Sequence, residues 1–87
     1  MIKHYDVKAF VTLANKNPLF GTITSVVKKD RVLYKFAFDN SDDFICITKI
    51  ADKWTFVSGM YNPNPFWINE IGQQIDQYEN DHLLRQA

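Results

Sequence analysis

Two histidines, one cysteine, a run of aspartates and a knot of lysines are the groups in this 87-residue chain with chemistry to offer. His4 and His82 stand far apart in sequence, with no Cys, Glu or second His at a ligand spacing, so no half of a metal site is visible. Cys46 alternates with Phe44, where a free thiol packs as a small hydrophobe, and nothing electropositive adjoins it to make a nucleophile. Asp39, Asp42 and Asp43 lack the residue order, glycine and closing glutamate of a calcium loop, and read as a solvated turn. The chain has no phosphate-binding glycine loop, no G-x-S-x-G and no H-E-x-x-H. These absences lead us to expect a non-catalytic protein that uses no metal and no cofactor.

Two further clusters are suited to binding. Lys28, Lys29, Arg31 and Lys35 gather at one hairpin with Tyr34 among them, and basic groups interleaved with an aromatic are how single strands of nucleic acid are held. The alternation of this segment, however, assigns Tyr34 to the core, which leaves the basic hairpin without a stacking platform. Met60, Tyr61, Phe66 and Trp67 crowd around two prolines and form an aromatic rim that either closes the end of the core or grips a partner.

The elements that carry these groups follow from hydrophobic period. Between Leu19 and Gly59 apolar residues recur at every second position, the pattern of an antiparallel meander. Strands are expected at 21–28, 31–38, 44–50 and 54–59. Matching the apolar faces of the first two sets Val27 against Val32, Ser25 against Tyr34 and Ile23 against Phe36. Val32, Tyr34, Phe36 and Phe38 then make one face too apolar to leave wet. Before the meander, Val7, Phe10, Val11 and Ala14 fit the i, i+3, i+4, i+7 spacing of a helix capped by Asp6. After it, Asn64 and Pro65 are an N-cap and first-turn proline, followed by a stripe at Ile68, Ile71, Ile75, Tyr78 and His82. The expected architecture is therefore α+β, in two layers. A four-stranded antiparallel meander is packed by an N-terminal and a C-terminal helix, in the order α-β-β-β-β-α, and residues 1–87 form one domain.

Charge is balanced overall but not along the chain. Residues 1–35 hold seven basic groups and two acids, and residues 36–87 hold three and eight, so the folded domain is expected to be dipolar. The single cysteine excludes an internal disulfide and suits a reducing cytoplasm, and no apolar run approaches the ~20 residues that span a bilayer.

Two helices on one side of a sheet leave the other side bare. In strands 3 and 4 we assign Phe44, Cys46 and Ile50 to the core and Ile45, Ile47 and Val57 to the opposite face, where Val26, Leu33 and Ala37 also lie. Val26, Leu33, Ile45, Ile47 and Val57 then form an interaction face for a protein partner, or for a second copy in a homodimer. The chain reads as a small contact protein, an inhibitor, adaptor or regulator. One alternative is a module that takes a small molecule in a pocket between the second helix and the sheet, lined by Tyr34, Phe36, Trp54 and Tyr78. Another is a weak nucleic-acid binder acting through the basic hairpin.

Overall fold

A computed structural model describes the backbone of residues 6–29 and 31–86 and the side chains of these up to residue 80. Five strands, β1 (Asp6–Thr12), β2 (Pro18–Lys28), β3 (Arg31–Phe38), β4 (Phe44–Ile50) and β5 (Lys53–Gly59), form one antiparallel sheet in sequence order. A single helix, α1 (Pro65–Gln86), follows them. The fold remains α+β, but two expectations are corrected. There are five strands rather than four, and the segment read as an N-terminal helix is β1.

The reason lies in a sequence compatible with two periods. Val7, Ala9 and Val11 also alternate, and as a strand they pair opposite Ile23, Gly21 and Leu19 of β2. That arrangement buries Ala9 and Val11 in the core and gives the backbone of β1 a partner along its length. The expected helix would have turned Phe10 inward with Val7 and Val11, whereas Phe10 lies at the surface. Leu13–Asn17 closes the turn into β2, with Lys16 in the left-handed region at φ 70°.

The β2–β3 register matches expectation: Ile23 faces Phe36, Ser25 faces Tyr34 and Val27 faces Val32. In β4 the faces are reversed. Phe36 lies opposite Ile45 and Tyr34 opposite Ile47, so both isoleucines join the core while Phe44, Cys46 and Ile50 fall on the other side. The loop between Phe38 and Phe44 decides this, because a change of one residue in the pairing exchanges every side chain between faces. β5 enters through a two-residue turn, Ala51-Asp52, with both residues at positive φ. Near its end the pairing jumps from Ile47↔Phe56 to Cys46↔Ser58, which leaves Val57 as the extra residue of a bulge.

One helix covers what two were expected to cover. It starts where expected: Asn64 Oδ1 accepts from the Phe66 N–H at 3.0 Å and Pro65 opens the first turn. Ile71 and Ile75 sink fully between the strands, with Ile68 and Trp67 packed beside them, and Phe36, Ile23, Ile45 and Ile47 form the floor. Gly72 meets the Trp54 ring so closely that a β-carbon there would overlap it, which explains a glycine in a helix interior.

The helix also fastens the first strand. β1 is an edge strand whose outward backbone groups need partners or water. Gln74 supplies both halves of a peptide-like pair, its Oε1 accepting from Phe10 N–H at 3.1 Å and its Nε2 donating to Phe10 O at 2.7 Å. Glu70 accepts from Thr12 N–H at 2.7 Å and from the Thr12 hydroxyl, and Trp67 Nε1 donates to Thr12 O at 3.0 Å.

Two substitutions test this frame. Ile47→Lys puts a charge into a fully enclosed position and should cost about 3 kcal/mol or more, enough to unfold a domain of this size. Circular dichroism should show loss of structure, and a folded variant would refute the assignment of Ile47 to the core. Glu70→Ala with Gln74→Ala should cost about 2 kcal/mol and lower Tm by roughly 10 °C, whereas Gln73→Ala on the exposed helix side should leave it unchanged.

Candidate functional site

Two surfaces gather the residues that could work: a cleft at the hairpin end of the molecule, and the sheet face that α1 leaves uncovered.

The cleft occupies about 430 Å³ and is open to solvent rather than enclosed. Tyr34 and Trp54 line it, with Lys49, Asp76, Glu79 and Arg31 around them. Of the pocket residues expected from sequence, Phe36 lies fully buried beneath and Tyr78 does not line the cleft. The two rings meet edge to face at 5.5 Å between centroids. Their polar atoms are engaged by the helix: Tyr34 OH donates to Glu79 Oε2 at 2.9 Å, and Trp54 Nε1 donates to Asp76 Oδ2 at 3.2 Å. Lys49 bonds Asp76 Oδ1 at 3.0 Å and lies over the Trp54 ring, 5.3 Å from its centroid. Two acids, one lysine and two aromatics thus satisfy one another. The arrangement staples the helix to β3, β4 and β5 and leaves little polar capacity for a guest.

The basic hairpin lies at this same end. Lys28 pairs with Arg31 across the two-residue turn, and Lys29 takes φ 56°, while Asp30 lies outside the described residues. Tyr34 is buried, so no aromatic stands exposed beside Lys28 and Lys29. Lys35 belongs elsewhere, in the middle of the uncovered face.

That face is mapped by the strand register. Lys8, Thr22, Ala37 and Phe44 lie side by side across four strands, and Asp6, Thr24, Lys35, Cys46 and Ser58 lie across all five in the next row. Phe10 and Phe20 pair at one end, with rings 6.3 Å apart and 61° between planes, and Val26 faces Leu33 toward the other. Phe20 is 54% exposed, Val26 47% and Val57 43%, and Ile50 and Phe10 are also exposed. The interaction set expected from sequence is therefore split. Val26, Leu33 and Val57 belong to this face, while Ile45 and Ile47 are core, and Phe10, Phe20, Phe44 and Ile50 take their place. Phe10 escaped notice because its segment read as a helix, and Phe44 and Ile50 because the parity of β4 could not be read across its loop.

The aromatic rim divides in the same way. Met60 and Trp67 pack against the core, Trp67 with its centroid 6.0 Å from that of Phe38, so they close its end. Tyr61 and Phe66 do not, being 95% and 79% exposed. The Met60 N–H bonds Phe44 O at 2.9 Å, Gly59 takes φ 127°, and Asn62 takes φ 51°, so the connection turns sharply ahead of Pro63 and holds Tyr61 outward.

Cys46 sits within the uncovered face yet is buried, with Lys35 and Ser58 as its register neighbours. Desolvation pushes its thiol above the usual range, against opposing contributions from a Ser58 hydrogen bond and the Lys35 and Lys28 charges. Among the described residues no three His, Cys, Asp or Glu side chains converge as a metal site. His4 and the His82 side chain lie outside the described residues. No helix in the described residues is long and apolar enough to cross a membrane. Comparison with protein-family models, curated proteins and solved structures finds no match to this chain.

The thiol carries a prediction with a defined sign. Because its folded pKa is raised, the folded state holds the proton more firmly than the unfolded chain. Its contribution to stability is complete below the ordinary thiol range and is lost as pH climbs from there through the raised folded value. Alkylation of native Cys46 by iodoacetamide near neutral pH should run about tenfold or more slower than in denaturant, and rapid native alkylation would refute the burial.

Proposed function

We propose that this protein works by contact with a protein partner, without catalysis, and that the contact surface is the sheet face opposite α1. The observation that carries this reading is the exposure of Phe20, Val26, Ile50 and Val57 on one face of a sheet whose single helix is committed to the other. Isolated exposed aliphatics are ordinary, but a continuous face of them marks contacts. Leu33, Ala37 and Phe44 lie among them on the same face, interleaved with Thr22, Thr24 and Lys35, so the surface sits on rigid strands and meets a partner with little ordering cost. Rigid aromatics such as Phe20 are also the residue type that anchors interfaces.

A pocket for a small molecule has weaker support. The cleft beside Tyr34 and Trp54 is open, and its tyrosine and tryptophan already spend their polar atoms on Glu79 and Asp76. A free cysteine agrees with a reducing compartment, and the cytoplasm is the proposed setting.

Exposed positions separate contact from stability. Val26→Glu with Val57→Glu should keep Tm within about 3 °C of the parent, because neither side chain is enclosed. Affinity capture from the native cell extract, followed by mass spectrometry, should recover a protein with the parent and lose it with this variant. Equal recovery by both, or none by either, would overturn the assignment of the face.

A further inference from the structure

The charge on this face points to the chemistry of the partner, an inference that rests on the contact reading above. Alternation along the strands puts Lys8, Lys28, Lys35 and Lys53 on the uncovered side, with Asp6 their one acidic counterpart on a strand. Lys8 is paired with Asp39 at 2.9 Å in an exposed ion pair. Lys28 and Lys53 flank the aliphatic end of the patch, and Lys35 stands at its centre. On the other side of the sheet, α1 carries Glu70, Asp76 and Glu79 between Pro65 and Asn80 and no lysine or arginine. The polarity of the sequence has become a polarity across the sheet: basic and apolar outside, acidic on the helix.

This works against the simplest occupant. Two copies meeting face to face would bring their central lysines together, and like charges in a closing interface are costly. A contact between the helix of one copy and the sheet of the next would match in charge, but such head-to-tail packing closes only where the rotation between copies makes a ring and otherwise runs into open filaments. Single-stranded nucleic acid is also acidic, yet the stacking surface is poor. Lys35 already covers the Phe44 ring at 4.7 Å from its centroid, and Phe10 and Phe20 meet edge to face with each other. Val26, Leu33, Ile50 and Val57 offer nothing to a base, whereas they suit leucine-sized side chains.

We infer that the occupant is an acidic amphipathic helix of another protein, with aliphatic anchors along one side and Asp or Glu flanking them. Length agrees with this. From Phe20 to Val26 the patch runs six strand residues, about 20 Å, which matches about four helical turns. The protein's own helix shows that this sheet accepts such an element on its other face, and the complex would then have a helix on each side.

Titration of the ¹⁵N-labelled protein tests this with three probes: a Leu/Glu amphipathic peptide of about eighteen residues, its Leu/Lys counterpart, and a short oligothymidylate. The Leu/Glu peptide should shift the amides of Thr24, Leu33, Lys35 and Cys46 and leave those of Ile71 and Ile75 in place. Its Kd should weaken about tenfold in Lys28→Glu with Lys35→Glu, and also on raising salt from about 0.05 to 0.3 M. Unchanged Tm and spectra of the free variant keep this comparison valid. Equal binding of the Leu/Lys peptide to the same amides would overturn the acidic partner while leaving the face a contact surface. Shifts with oligothymidylate alone would replace the protein partner by nucleic acid. If no probe moves an outer-face amide, the acidic-helix inference falls, and the capture experiment decides the face separately.

Discussion

The side-chain bonding of α1 to the bare edge of β1 is the constraint from which the rest of the arrangement follows. A glutamine amide carries the same donor and acceptor as a peptide group, so Gln74 can stand where a neighbouring strand would stand. Trp67, Glu70 and Gln74 are spaced by three and four residues and lie on one stripe of the helix. Fixing that stripe against β1 fixes the rotation of the helix about its axis. Ile68, Ile71 and Ile75 must then point into the sheet, and Gly72 must come down on Trp54. Asp76 and Glu79 reach the far strands one to two turns later, where Trp54, Lys49 and Tyr34 receive them. A helix held at both borders of the sheet covers one face only.

The sequence disclosed those parts in which local pattern and partner agree. The β2–β3 hairpin was legible because Ile23 and Val27 in one strand and Val32, Tyr34, Phe36 and Phe38 in the other recur at every second or fourth position, and a two-residue turn allows one register that joins these faces. The start of α1 was legible because Asn64 and Pro65 each act within one turn. β1 was not, since Val7, Phe10 and Val11 fit a helix and Val7, Ala9 and Val11 fit a strand. Only the long-range pairing with β2 and the bonds from α1 separate the two. The parity of β4 failed for a related reason. Both of its faces are apolar, so its composition is silent about which one is covered, and the loop after Phe38 does not fix the count. The candidate face inherited that ambiguity, and two of its five residues turned out to be core.

The two surfaces differ in what remains unspent. In the cleft, aromatic N–H and O–H groups meet carboxylates of the helix, and a lysine completes the set. On the uncovered face the polar groups are mainly threonine hydroxyls and lysines set among phenylalanine, valine and isoleucine. A surface of that composition loses little by being dried, since few polar groups would be stranded, and it keeps cations at positions from which they can reach a partner.

The order of the elements has a consequence for synthesis. The strands all precede the helix that covers them, and the bonds closing the edge of β1 join residues about sixty positions apart. A nascent chain that has made its hairpins therefore holds a sheet with both faces wet and its first edge unpaired until α1 arrives. Contacts of such sequence separation slow folding, and the open edge is a template for pairing with a neighbouring chain. Folding of this protein therefore sets docking of its helix against association of its unfinished sheets, and the closer such chains stand to one another before α1 emerges, the more the second gains.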